Sequence, residues 1–207
     1  MAYQNRVDPW GHLYANSSRG EFLGNKGILH NEKQVIISSH KIYGWVTCRL
    51  EFKGRKRQIM MPNRYTELFF LDEATAFSAG HRPCAECRRE RYNEFKEKWL
   101  LANQYQLLGK PTIVANIDKI IHKERIHLKQ KATYSAKLNA LPDGTMVQID
   151  EEAYLIWRKK LFKWSFFEYT KSEKIITNDL AIVLTPKSYV EMFSLGFLPG
   201  VHDTLKE

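Results

Sequence analysis

The stretch Gly80-His81-Arg82-Pro83-Cys84-Ala85-Glu86-Cys87-Arg88 decides how this chain is read. Two cysteines separated by two residues can turn both thiolates toward one metal ion, and the N–H groups of the short turn support the sulfur charge. A closed tetrahedral site needs four ligands, and zinc is the default ion for thiolate and imidazole. The chain has one further cysteine, so Cys48, Cys84 and Cys87 supply three ligands and the fourth is another residue type. His40 is the first candidate, because it lies just before the strand-like run that carries Cys48; His30 is the second. A redox dithiol, which calls for a strand–turn–helix context, and a pair of inert thiols are the competing readings.

Bulk composition narrows the partners. The chain has 207 residues, 43% of them hydrophobic, enough for a real core, and its 27% charged residues are ordinary for a globular protein. Lysine and arginine number 32 against 23 acidic residues, a formal charge of +9 that favours an anionic partner, DNA first and RNA second. Three cysteines do not make a secreted disulfide framework. The start, Met1 to Asp8, has no apolar signal core, and no apolar run approaches the roughly 18 residues of a membrane span. A cytoplasmic protein with no membrane partner is expected.

Residues 8–30 are rich in turn formers (Pro9, Gly11, Asn16, Gly20, Gly24 and Gly27 among them) and read as ordered loops with a short hairpin. Val35-Ile36-Ile37 and Trp45 to Phe52 are strand-like, with Arg57 to Met61 as a partner for the second across a Gly54 turn. Leu71 to Phe77 predicts a short helix, N-capped by Asp72 and stopped by Gly80. Tyr92, Phe95, Trp99 and Ala102 share one face of the next helix, and a third covers Ile117 to Ile126. Beyond Leu141 come β-rich runs at 146–149, 153–157, 161–164 and 181–184, then a helix from Lys187 to Leu195. The fold class expected is α+β. A small zinc-stabilised α/β half with Gly-rich loops spans residues 1–110; residues 111–207 hold helix and a small β-barrel-like region.

Phe69-Phe70, nine residues of predicted helix, and Gly80 to Arg88 together resemble the zinc-binding domain of Ada-type DNA repair proteins. That domain carries an aromatic pair, an Ala-rich helix of the same length and Gly-aromatic-Arg-Pro-Cys-x-x-Cys-Arg. Upstream, Tyr43 to Arg49 is similar to the strand that bears the family's first cysteine. The resemblance covers residues 41–90. It implies a small α/β domain that contacts DNA backbone and holds one zinc through four thiolates. In the Ada protein itself the first cysteine also accepts a methyl group from a methylated phosphate, and by position Cys48 corresponds to it. The family's second cysteine is Phe52 here, so Cys48 is read as a plain ligand. His81 stands where the family has an aromatic residue and is read as a packed ring.

Arg49, Lys53, Arg55, Lys56, Arg57, Arg82, Arg88 and Arg89 crowd around the cysteines and form the candidate phosphate-binding face. Lys119, Lys123, Arg125, Lys129, Lys131 and Lys137 either extend it or make ordinary helix surface. Candidate acid–base residues in the Gly-rich loops are Asp8, Glu21, Asn25 and His30, with His12 beside them. The aromatic group Trp157, Trp164, Phe166, Phe167 and Tyr169 is expected to be core, with base stacking as its alternative. A zinc-containing DNA-binding protein acting in DNA repair, modification or defence is the leading expectation. The alternatives are a glycosylase or nuclease with a structural zinc, and a zinc-stabilised protein-interaction module.

Overall fold

The computed structural model describes residues 2–55 and 58–205. Strands β1 (Gln4–Val7), β2 (Leu13–Ala15), β3 (Phe22–Asn25), β4 (Val46–Arg49) and β5 (Leu68–Phe70) precede helix α1 (Glu73–Ser78) and the two-residue strand β6 (Arg82–Pro83). They form a mixed sheet in the order β2-β1-β5-β3-β4-β6, in which β1–β5 and β4–β6 are the parallel pairs. Helices α2 (Arg89–Asn103) and α3 (Val114–Arg125) follow, then a hairpin of β7 (Ile126–His127) and β8 (Gln130–Lys131). Strands β9 (Tyr134–Lys137), β10 (Met146–Ile149), β11 (Glu152–Trp157), β12 (Lys160–Trp164), β13 (Tyr169–Lys171) and β14 (Leu180–Val183) build a second, antiparallel sheet, and α4 (Lys187–Ser194) closes the set. The class is α+β, as expected.

The second sheet runs in the order β13-β12-β11-β10-β14-β9 and stays open, so it is not the barrel that the sequence suggested. Curling is unnecessary because both faces are covered. On one, Met146, Leu155 and Tyr169 pack with Leu71 and Ala74 at α1; on the other, Val147, Ile156 and Val183 pack with Leu138 and Val190. Its hairpins turn through Asp150-Glu151 and Arg158-Lys159, all four at positive φ, the two-residue geometry that matches strand twist. The Asp143 carboxylate accepts the Arg158 N–H at 2.8 Å and steadies the second turn.

The spacing of Tyr92, Phe95 and Trp99 buries those residues along α2. Ala102 sits at the margin, and Asn103 turns inward to donate its amide to the Trp99 and Ser188 carbonyls. The core there joins Phe77 and Phe95 to Tyr189, Met192, Phe193 and Phe197, so residues on both sides of position 110 share it. Two strand expectations fail. Val35–Ile37 makes only an isolated bridge, His30 to Ile36, because the Asn31 side chain holds the Lys33 and Val35 N–H groups in a turn. Residues 58–61 form no strand; Met60 is buried, and its N–H donates to the Glu67 carboxylate. No helix among the described residues is long and apolar enough to cross a membrane.

Asp72 caps α1 by accepting the Thr75 N–H at 2.8 Å. At its other end Gly80 N–H donates to Phe77 and His81 N–H to Ala76, the paired bonds of a left-handed helix stop. Gly80 has φ +82, and a Cβ there would lie 2.5 Å from Cδ of Arg125. Gly80→Ala is therefore expected to cost about 2–4 kcal/mol, combining left-handed strain with overpacking. Urea denaturation would read this, and a loss under about 1 kcal/mol would mean that Arg125 moves aside freely.

Candidate metal centre

Strand register builds the cysteine site. β4 lies between β3, which pairs Leu23 with Cys48, and β6, which pairs Thr47 with Pro83. Extending β6 by one residue brings Cys84 beside Cys48, and the Cys84 N–H donates to the Thr47 carbonyl at 2.9 Å. The turn then returns Cys87, so the three Sγ atoms lie within 4.8 Å of one another. Tetrahedral zinc–thiolate bonds of about 2.3 Å place sulfurs about 3.8 Å apart, so this cluster needs little adjustment to hold an ion. Without one, a hydrogen bond from Cys48 and N–H groups of the turn bring the Cys84 thiol down to about 5, and Cys48 is pushed up in return. A single thiolate is thus stabilised by its neighbours, the charge distribution that a cation would complete.

Among the described residues no histidine or carboxylate joins the three cysteines. His40, the expected fourth ligand, lies elsewhere: its ring packs against Trp45 at 5.6 Å and His122 at 4.9 Å between centroids. The reason is local. Lys41 N–H donates to the Lys26 carbonyl, pinning this segment at the Trp45 end of β4, whereas Cys48 is at the other. His30 is buried with Nδ1 on the Thr66 hydroxyl and Nε2 on the Met61 carbonyl. His81 is a packed ring, between Trp45 and Phe70.

An open cleft of about 460 Å³ borders Cys87, and Phe22, Arg49, Phe52, Arg88, Arg89 and Arg91 line it. No protein-family model, curated protein or solved structure matches this chain. Function is therefore read from the site.

The expected basic face divides. Arg49, Lys53, Arg55 and Arg89 are exposed, with Arg55 held by Glu86 at 2.5 Å. Lys56 and Arg57 lie outside the described residues. Arg82 and Arg88 do not face solvent, contrary to expectation. The Arg82 guanidinium forks onto Asp118 at 2.7 and 2.8 Å, both side chains less than a tenth exposed. Arg88 joins Glu73 at 2.5 Å and donates to the Thr47 hydroxyl, its guanidinium over the Phe22 ring. Burial works against the Glu73 charge, but Arg91 and Arg88 outweigh it and hold that carboxyl below its ordinary range. These arginines fix the turn in place and do not reach outward.

The four acid–base candidates do not converge. Glu21 is exposed, Asn25 accepts the Gly27 N–H in a local turn, and both nitrogens of His30 are engaged. Asp8 alone keeps a partner suited to chemistry: it accepts the His12 N–H at 2.8 Å and lies 3.3 Å from Nδ1 of that ring. The hydrogen bond to Asp8 raises His12 above its ordinary value. The aromatic group is mainly core, with Tyr169 buried, Trp157 and Trp164 packed beside it, and Phe167 exposed.

Sequence reading missed one cluster altogether. Arg125 and Lys131 turn inward toward Lys26, and the three cations line a separate cleft with His12 and Trp45. No motif announces it: Arg125 and Lys131 belong to the second basic stretch, and Lys26 stands about 100 residues earlier between Asn25 and Gly27.

Proposed function

We propose that this chain is a zinc-containing DNA-binding protein, suited to DNA repair, modification or defence. Zinc on Cys48, Cys84 and Cys87 braces the turn that aims its arginines. The observation carrying this reading is the cleft beside Cys87, where Arg49 and Arg89 are exposed while Arg88 and Arg91 anchor its floor to Glu73. The resemblance of residues 41–90 to Ada-type zinc domains supports the same assignment. Each exposed guanidinium can fork onto one phosphate. Cys48 acts as a ligand only. Among the described residues no fourth ligand joins the three cysteines.

Salt tests the reading. With Arg49, Lys53 and Arg89 each neutralising one phosphate, affinity for random duplex DNA should fall about 40-fold between 50 and 200 mM salt. Arg49→Ala with Arg89→Ala should flatten that slope by about two contacts' worth. Binding that ignores salt would instead favour the protein-interaction module. Strand cleavage or abasic sites appearing in modified duplexes would point to the processing enzyme.

A further inference from the structure

The second cleft carries more charge than the protein itself balances. It lies between the β1–β2 turn, the end of β3, the residue preceding β4 and the β7–β8 hairpin, with a volume of about 430 Å³. That is within the range of about 300–1,000 Å³ typical of small-molecule sites. Lys26 is 3% exposed and Arg125 2%, yet neither has a carboxylate within ion-pair reach among the described residues. Lys26 Nζ sits 4.7 Å and the Arg125 guanidinium 3.7 Å from the centroid of one indole, that of Trp45. Arg125 gives two donors to the Gly80 and Tyr43 carbonyls and contacts His122 Nδ1 at 3.1 Å, while its buried Nε has no acceptor. Lys131 Nζ reaches the Ser78 carbonyl from the mouth of the cleft. The carboxylates facing the cluster among the described residues are both engaged elsewhere, Asp8 with His12 and Asp118 with Arg82.

Buried cations without counter-charge are costly, and an anionic ligand would offset that cost. Burial, with their mutual repulsion, brings Lys26 down to about 8 and Lys131 to about 7. A neutral or cationic ligand would gain nothing from this arrangement. A phosphate group offers several acceptor oxygens to Lys26, Lys131 and Arg125, and Trp10 supplies a flat wall for whatever carries it.

We propose that Lys26, Arg125 and Lys131 form a phosphate-binding site, separate from the cysteine centre, that takes a phosphate carried on a group of nucleotide size. The site does not depend on the DNA-binding reading given above. The phosphate is either a terminal monoester or an internal diester of a polynucleotide, and His12 also lines the cleft. Other ionisable groups facing the cations are Asp8, His40 on the segment before β4, His81 after α1, His122 on α3, Tyr189 on α4, and the Arg82–Asp118 pair.

Isothermal titration of the full, metal-loaded chain tests this with three probes: inorganic phosphate, a 5′-phosphorylated dinucleotide, and the same dinucleotide lacking the terminal phosphate. Saturable one-to-one binding is expected. Preference for the phosphorylated dinucleotide identifies a monoester site, and equal binding of both dinucleotides a diester site. Lys26→Met and Lys131→Met should each weaken binding about 10- to 100-fold, the span of a charge-assisted hydrogen bond. Arg49→Ala with Arg89→Ala should leave it unchanged, which separates this site from the proposed duplex face. The folded methionine variants should also keep or raise the unfolding temperature, because an uncompensated buried cation has been removed. At pH 8 binding should take up protons onto the lysines, seen as an enthalpy that varies with buffer ionisation, a readout that needs no variant. Absence of saturable binding, no proton uptake, or unchanged affinity in both lysine variants would overturn the proposal.

Discussion

Replacing Cys84 by alanine is expected to strip the chain of its metal. Each cysteine contacts the other two, and Cys84 also accepts the Glu86 N–H, so its loss leaves Cys48 and Cys87 facing each other across an incomplete shell. Metal affinity should fall by more than about 100-fold, beyond the 10- to 100-fold that loss of an outer-shell partner costs. Structural zinc supplies about 10–16 kcal/mol in small peptides that have no other core. Here much less of the fold depends on it. The cluster around Phe77, Trp99 and Tyr189 and both faces of the second sheet contain no cysteine. Hydrogen exchange should therefore show lost protection in β4, β6 and the 84–88 turn, with β10 to β12 unchanged. Metal analysis showing one zinc per chain in the parent and none in Cys84→Ala would agree. A metal-free parent of full stability would remove the central premise.

Asp118→Ala should produce the second large effect. Arg82 and Asp118 form a two-pronged pair with both side chains more than nine-tenths buried, and it ties α3 to the strand that leads into the cysteine turn. Burial alone would lower Arg82, but Asp118 more than compensates and holds its proton above the ordinary range. Removing the carboxylate leaves an uncompensated guanidinium beside a second buried cation, Arg125. The expected cost is about 3–5 kcal/mol, whereas removing both charges, as in Arg82→Met with Asp118→Leu, should recover most of it. Urea midpoints at constant m-value would measure each step. If the single variant loses under about 1 kcal/mol, water reaches the pair and its burial is overstated.

How far the sequence revealed all this depends on whether the signal was local. β10, β11, β12 and β14 were legible because their apolar runs are short, bounded by turn residues and rich in branched and aromatic side chains. α1 was legible at both ends, through Asp72 and Gly80. The three cysteines were identifiable because nothing else in the chain could supply thiolates. Failure began where a partner was distant. A run of arginines gives charge density but no direction. Arg82 is turned inward by Asp118, 36 residues on, and Arg88 by Glu73, 15 residues back. His40 looked well placed because it precedes Cys48 in sequence, but a bond from Lys41 to Lys26 turns the segment the other way. The Lys26, Arg125 and Lys131 cluster joins two regions about 100 residues apart, so no window of sequence could contain it.

The first turn of α1 is clasped by residues near position 200. Gly200 N–H donates to the Glu73 carboxylate, its carbonyl accepts the Ala74 N–H, His202 N–H reaches Asp72, and the Leu198 carbonyl accepts from Arg91. The helix that leads into the cysteine turn is thus finished by chain made more than a hundred residues later. During synthesis the first sheet can emerge and collapse, yet Glu73 waits for its clasp until Gly200 has left the ribosome. Such late closure makes the nascent chain slow to complete its native form and sensitive to premature termination. A truncated product would carry all three cysteines and still lack the buttress beneath them.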